Sequence, residues 1–367
     1  MTRFFVFLVL LLGPAQSRAF GFFGSAKAAT VAAPLKLPLK LVWTFKAAKA
    51  LYSSPHLISS TAYVGCEDGS LYAVDASSGK LKWKHALGGK VYGSTPAVAD
   101  GKVFVCSTDG CLNALEAATG KEAWKSCPSP GKPAFSSPLI QDGLVYFGTD
   151  DQSIYAVDVK TGKRRWSFAS GGKIHDNAAA LSGSVLVCGS QDGMLYALHA
   201  KTGKLLWKFK TDKQLNTRPL IFDGSAFFGS TGGTLYRLKL AKGSKQWSFK
   251  ASEGIGSSPT TDGKGILVFG AANGQVYGLD IKKGSQRWTF KSKDHVFASP
   301  LIVGPYAFIG SFDKVLYALR LKDGGRAWSF SAKGGLFAAA AYDGQTLVIG
   351  DLAGNLYGFK GGAGSTP

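Results

Sequence analysis

An all-β fold, made of eight four-stranded units closed into one ring, is what this 367-residue sequence predicts, and three observations carry the expectation. The eight tryptophans, Trp43, Trp83, Trp124, Trp166, Trp207, Trp247, Trp288 and Trp328, recur every 40 to 42 residues. A period of that length marks a repeat architecture. Between tryptophans each unit reads alike: a Ser-Ser-Pro segment, an aliphatic strand, an Asp-Gly turn, a Leu-Tyr-Ala-type strand, a Thr-Gly-Lys turn and the Trp strand. The two ends are complementary halves, since LVWTFK at 41–46 is a Trp strand with no unit before it and the unit after Trp328 stops without one. Pairing the first strand with the last unit closes the ring and removes both exposed sheet edges, which otherwise invite aggregation. Radially stacked four-stranded repeats of this period are the sequence sign of a β-propeller. The reading is therefore one domain of eight antiparallel blades over residues 41–361.

The segment ahead of the repeats has its own grammar. Arg3 precedes an apolar run from Phe4 to Leu12, and Ser17-Arg18-Ala19 supplies a small-residue cleavage site. That pattern reads as a signal peptide over residues 1–19. The run is too short to cross a bilayer and no other segment is longer, so no transmembrane span is expected. The expected destination is the periplasm or the extracellular space. Residues 20–40 contain no acid and are rich in Ala, Lys and Pro, which reads as a flexible leader, and residues 362–367 as a disordered tail. Phe20 directly after the cleavage site resembles the bipartite leaders of secondary-plastid algae, which makes a plastid the alternative destination.

Within the units, Tyr72, Tyr155, Tyr196, Tyr236, Tyr277, Tyr317 and Tyr357 hold one position that Asn113 fills in the second unit. A turn glycine recurs as Gly79, Gly120, Gly162, Gly203, Gly243, Gly284 and Gly324, where a tight turn favours positive φ. Most tryptophans are followed two residues on by Phe, which puts both rings on one face of the strand, facing the next blade.

Charge and cysteine content narrow the function classes. With 43 basic against 23 acidic residues the chain carries +20, a surplus that favours anionic partners. Many cations lie on outer strands, where lysine protects an edge from association; no nucleic-acid motif accompanies them, so nucleic acid is not an expected partner. The five cysteines cannot all pair within one chain. Cys106 and Cys111 flank a four-residue hairpin loop and are the pair that an optional bridge would join. No Cys or His cluster suggests a metal site.

The phrases AVDASSGKLKW, ALEAATGKEAW, AVDVKTGKRRW and ALHAKTGKLLW resemble the tryptophan-docking repeat of the quinoprotein-like propellers, the pyrroloquinoline quinone repeats. The likeness weakens from the fifth unit on, where Arg237 replaces the leading Ala. The resemblance implies an eight-bladed propeller and leaves activity open, because the repeat serves both enzymes and scaffolds. Enzymes of this kind are quinone-dependent dehydrogenases with inserted loops, a vicinal Cys pair and calcium. This chain has no adjacent cysteines, no tryptophan outside the docking positions and almost no insertions. The expectation is accordingly no enzyme and no cofactor, with pyrroloquinoline quinone plus calcium as the alternative. The non-enzymatic BamB-like branch resembles the chain in size and blade count, and implies a scaffold that is a monomer within a complex.

The candidate site is one mouth of the central channel. Counting six back from each Pro position gives Lys49, Lys90, Lys132, Lys173 and Lys213, with Lys293 and Lys333 nearby, so a ring of amines is expected to draw a protein partner, an anionic ligand or a polysaccharide. Asp68, Asp109, Asp151, Asp192 and Asp313 on the adjoining turns are expected to neutralise part of it. Counting three back gives the channel wall as Tyr52, Gly93, Phe135, Asp176, Asn216, Gly256, Phe297 and Phe337. Asp176 and Asn216 offer oxygen atoms, but two are far short of the six to eight that calcium takes. His175 and Asp176 are strand neighbours that point apart, so they are not expected to act as one base.

Overall fold

The computed structural model describes residues 35–175 and 179–362. The closing strand β1 (Leu39–Lys46) is followed by blade 1, in which β2 (His56–Ile58), β3 (Thr61–Gly65), β4 (Ser70–Asp75) and β5 (Leu81–Ala86) pair in sequence order. β3 and almost all of β4 are buried on both faces, because a blade covers each side; β5 alternates, as the rim of the disc requires. Blades 2 to 7 repeat the plan at 97–126, 139–169, 179–210, 220–250, 260–291 and 301–331. Blade 8 takes three strands from 341–361 and its outermost from β1, with Trp43 opposite Gly358. Ring closure by the N-terminal strand is thus as expected.

The ordered ring begins inside the stretch read as a leader. Leu35 and Leu39 are buried against blade 8, and Gly362 N–H donates to Pro38 O. The alternation Leu35, Leu37, Leu39, Leu41 is a strand signal that the basic, proline-rich composition concealed. The readings on residues 1–19 and on most of the tail lie outside the described residues.

Blades are joined by a repeated seam. Six of the eight indole N–H groups donate to a backbone carbonyl of the next blade: Trp43 to Ala76, Trp83 to Ala117, Trp124 to Val159, Trp166 to Ala200, Trp207 to Leu240 and Trp288 to Leu321, at 2.7–3.2 Å. The turn glycine of that next blade lies flat on the indole. A Cβ at Gly203 would stand 2.6 Å from a ring carbon of Trp166. The glycine is needed twice, for its φ of 70° and for this approach. Inward along the seam, Phe209 meets Tyr236 edge-on at 5.6 Å and Phe249 meets Tyr277 at 5.5 Å, contacts worth about 0.5–1.5 kcal/mol beyond the area they bury.

Three seams depart from this plan, and at the one between blades 7 and 8 Trp328 packs on Phe330 and Phe359 with no turn glycine against it among the described residues. Between blades 5 and 6, Arg237 Nη1 donates to Ile281 O and Lys282 O, so the carbonyl equivalent to the other acceptors is taken and the buried Trp247 N–H has no hydrogen-bond partner among the described residues. In blade 2 Asn113 bonds Val105 O and Ser107 Oγ in place of a ring contact. There the bridge between Cys106 and Cys111 is not formed, since Cys106 faces Leu112 while its neighbour Ser107 faces Cys111, which puts the two thiols on opposite faces. Cys111 is bonded instead to Cys127, one step beyond the Leu112–Ser126 pair. Cys66, Cys106 and Cys188 are free and buried.

Candidate functional site: the channel mouth

The loops entering the blades are fixed by one hydrogen bond repeated eight times. The backbone N–H of Leu51, Val91, Ala134, Ile174, Leu215, Ile255, Val296 or Leu336 donates to the turn of the blade before it. Each of these side chains is buried, and most press on the glycine that ends the second strand of that blade; a Cβ at Gly65 would meet Val91 at 2.2 Å. Blade 2 has Cys106 where the others have glycine, and its partner is the smallest of the set, Ala134.

The residue after each anchor faces the mouth, and the eight are Tyr52, Tyr92, Phe135, His175, Asn216, Gly256, Phe297 and Phe337. Six rings follow one another around the axis: His175 to Phe135 at 4.3 Å, Phe135 to Tyr92 at 6.3 Å, Tyr92 to Tyr52 at 4.7 Å, Tyr52 to Phe337 at 5.5 Å and Phe337 to Phe297 at 6.3 Å. Gly256 is required because the Phe297 ring leans into the space its Cβ would fill, at 2.1 Å. Asn216 alone leaves a polar gap in this aromatic collar, and its Oδ1 accepts from Gln191 Nε2 at 3.4 Å.

Two positions differ from the expected wall. Tyr92 and His175 hold the places assigned to Gly93 and Asp176, because the loops into blades 2 and 4 carry one residue more between the anchor and the Pro position. Counting nine forward from the preceding Trp finds seven of the eight collar residues, so the signal was present on the other side of the loop. Gly93 still lines the axial cavity, and Asp176 lies outside the described residues.

Beneath the collar, the second residue of the Ser-Ser-Pro segments ties blade to blade: Ala339 N–H donates to Ser54 Oγ, Thr95 N–H to Ser137 Oγ, and Ser258 N–H to Ser299 Oγ. Arg218 occupies this row in blade 5; it is buried, which lowers its guanidinium to about 10. The axial cavity among these groups is about 40 Å³. That admits water but not a small-molecule ligand, which needs roughly 300 Å³ or more. Among the described residues no three His, Cys, Asp or Glu side chains gather as a metal site. Every tryptophan is held in a seam or against a turn glycine, so no indole among the described residues lines the axial cavity.

The lysines occupy three loop positions rather than one. Lys90 and Lys173 directly precede their anchors, Lys49, Lys132 and Lys213 lie one residue earlier, and Lys293 and Lys333 one earlier again. All are exposed. Lys90 pairs with Glu67 at 3.1 Å and Lys173 with Asp150 at 2.9 Å. Glu67 also accepts from the Tyr92 hydroxyl at 2.7 Å, and that bond with the Lys90 ammonium holds its carboxyl below the usual range. Asp68, Asp151, Asp192 and Asp313 serve the tyrosines instead of the loop lysines, accepting from Tyr72, Tyr155, Tyr196 and Tyr317; Asp68 and Asp109 also pair with Lys84 and Lys125 on outer strands. Lys49, Lys132 and Lys213 therefore have no carboxylate partner among the described residues.

No helix is long and apolar enough to cross a membrane among the described residues. The chain is similar in fold to BamB from Moraxella catarrhalis, with 17% identity, TM-score 0.78, and coverage of 88% of this chain and 100% of that one. It is equally similar to the computationally designed Ika8 protein, at 15% identity and TM-score 0.78 over 87% of this chain and 99% of that one. The quinohemoprotein alcohol dehydrogenase ADHIIG from Pseudomonas putida HK5 follows at 17% identity and TM-score 0.75, over 91% of this chain and 78% of that one. No curated protein sequence matches. The family model described as outer membrane protein assembly factor BamB matches residues 40–172, 150–261 and 241–366, and the chain, with its eight docking tryptophans, belongs to that family of pyrroloquinoline quinone repeat propellers.

Proposed function

We propose that this protein is an exported, non-catalytic scaffold that presents its loop face to a protein or polyanionic partner, in an assembly role like that named for its family. The observation that carries the reading is the mouth itself. Six aromatic rings cover the axis over a cavity of about 40 Å³, while Lys49, Lys132 and Lys213 stand exposed around it. Such a surface has contact area and uncompensated charge, and little room for a substrate. Export rests on the Arg3-led apolar segment, with the plastid leader as the alternative route.

A photo-crosslinking residue placed at Lys132, on the loop face, is expected to trap a discrete partner in the native cell, and the same residue at Lys163, on the opposite face, is not. Equal capture from both faces, or none from the first, would remove the loop-face assignment. The alternative, a quinone- or calcium-binding oxidoreductase of reduced form, is supported by the fold shared with the alcohol dehydrogenase. It requires that quinone with calcium raise the melting temperature saturably and support dye-linked oxidation of an alcohol or sugar; that result would overturn the non-catalytic reading.

A further inference from the structure

Next to the polar gap in the collar lies an open groove of about 530 Å³ between blades 4 and 5, with Asp192, Lys210, Lys213, Gln214 and Thr231 along it. It reaches the mouth through Gln191, which lines the groove and donates to Asn216 in the axial wall. Its charges do not cancel. The Asp192 carboxylate is filled by the Tyr196 hydroxyl and the backbone N–H groups of Met194 and Gly171. Among the described residues Lys210 donates to a backbone carbonyl, that of Asp192, and neither it nor Lys213 has a carboxylate partner. At the inner end the surface changes from cationic to aromatic, where the half-exposed rings of His175 and Phe135 begin the collar.

A second observation comes from the collar wall. Asp150 is 8% exposed and its Oδ2 holds Lys173, while its buried Oδ1 has no hydrogen-bond partner among the described residues and stands 3.9 Å from His175 Nε2. Glu67, the same position two blades back, has both Lys90 and the Tyr92 hydroxyl on one oxygen. The Asp150 Oδ1 is closed to solvent, so it belongs to the wall of the site and takes no contact from a bound segment.

We propose that groove and collar form one docking site for an extended acidic peptide segment of a partner protein, with carboxylates over Lys210 and Lys213 and one aromatic or large aliphatic side chain seated on the collar. This rests on the loop-face reading above and specifies the partner's chemistry. The cationic groove steers and orients the segment, while the apolar side chain supplies most of the affinity, as buried aromatic anchors do at protein interfaces.

A phage-displayed library of random peptides about twelve residues long, selected on the full chain, tests this, followed by fluorescence anisotropy with one synthetic winner. The expected winners place Asp or Glu beside a Phe, Trp, Tyr or Leu. Affinity is expected to fall about tenfold or more with Phe337→Ser and with Lys210→Glu/Lys213→Glu, and added salt to weaken binding to the parent far more than to the charge-reversed variant. Replacing the peptide's own anchor by Ala reads the collar contact with the protein untouched, so a poorly folding variant does not decide the outcome. Winners without acidic residues, an anchor→Ala peptide that binds as tightly, or no enrichment would overturn the proposal. So would a sulfated polysaccharide whose binding survives Phe337→Ser, since it would assign the mouth to polyanions. A partner captured from Lys132 together with no acidic-aromatic winner rejects this chemistry and leaves the loop-face reading standing; no capture at all strikes that reading itself.

Discussion

The outer seams and the axial mouth of this disc are built from the same repeat and use it in opposite ways. At the seams nearly every blade performs one operation with one set of parts: an indole against a glycine, its N–H on a carbonyl, a Phe edge on a Tyr. At the mouth the eight equivalent positions hold Tyr52, Tyr92, Phe135, His175, Asn216, Gly256, Phe297 and Phe337, with no common part. A seam is a shape constraint that each pair of blades must meet alone. The mouth is a space the blades share, where one ring leaning across, as Phe297 does over Gly256, changes what its neighbour must be. Regularity therefore marks the scaffold, and departure from it marks the surface free to be specific.

The seam side of this comparison breaks most severely at a docking glycine. Gly203→Val sets a β-branched residue at φ 70° and drives its Cβ into the Trp166 ring, 2.6 Å away. Strain and overpacking together are expected to cost about 4 kcal/mol. Gly143 has nearly the same φ, 76°, but nothing within 4 Å of its Cβ position, so Gly143→Val isolates the backbone cost of about 1–3 kcal/mol. Denaturant midpoints compare the two. Equal losses would show that the indole contact does not restrict the glycine.

A break in the inner strands has a pH signature. The residue after the Pro position is apolar in most blades, Ala97, Leu139, Leu220 and Leu301, but His56 in blade 1. Burial holds its imidazole neutral and lowers it to about 4. Between pH 6.5 and about 4 the unfolded chain takes up a proton that the folded one refuses, so this contribution is full above pH 6.5 and is lost as the pH falls through that window. The loss approaches about 3 kcal/mol. His56→Gln is expected to flatten the melting temperature over that window; an unchanged slope would place the proton elsewhere.

The scaffold was legible because the residues that build it repeat in identity. Trp43 without a unit before it and Tyr357 without a Trp strand after it were enough to place the closing strand. The mouth was only partly legible, because its residues repeat in position and not in kind, and position depends on the end from which a loop is counted. Counting from Pro missed Tyr92, put His175 beside the wall rather than in it, and made lysines at three loop positions look like one ring. The pairing of Cys106 with Ala134 was hidden for another reason: each is unremarkable alone, and only their contact shows a small anchor accommodating a side chain where other blades have glycine. The partner of Cys111 depended on strand register, since one step along the hairpin moves a thiol to the other face.

The smallest effect sharpens the comparison within the seams themselves. Trp207 donates to Leu240 O at 2.8 Å, whereas at the next seam Arg237 holds Ile281 O and Trp247 keeps a buried N–H without a partner among the described residues. Trp207→Phe removes a hydrogen bond and leaves a carbonyl open. Trp247→Phe removes none and relieves an unsatisfied donor, at a similar loss of ring area. Trp207→Phe is therefore expected to cost about 1–2 kcal/mol more than Trp247→Phe in denaturant melts. Arg237→Ala returns Ile281 O to the indole, so in that background Trp247→Phe should become as costly as Trp207→Phe. If the two tryptophans cost the same in the parent, the indole N–H contributes nothing to the seam, and ring packing on glycine alone joins the blades.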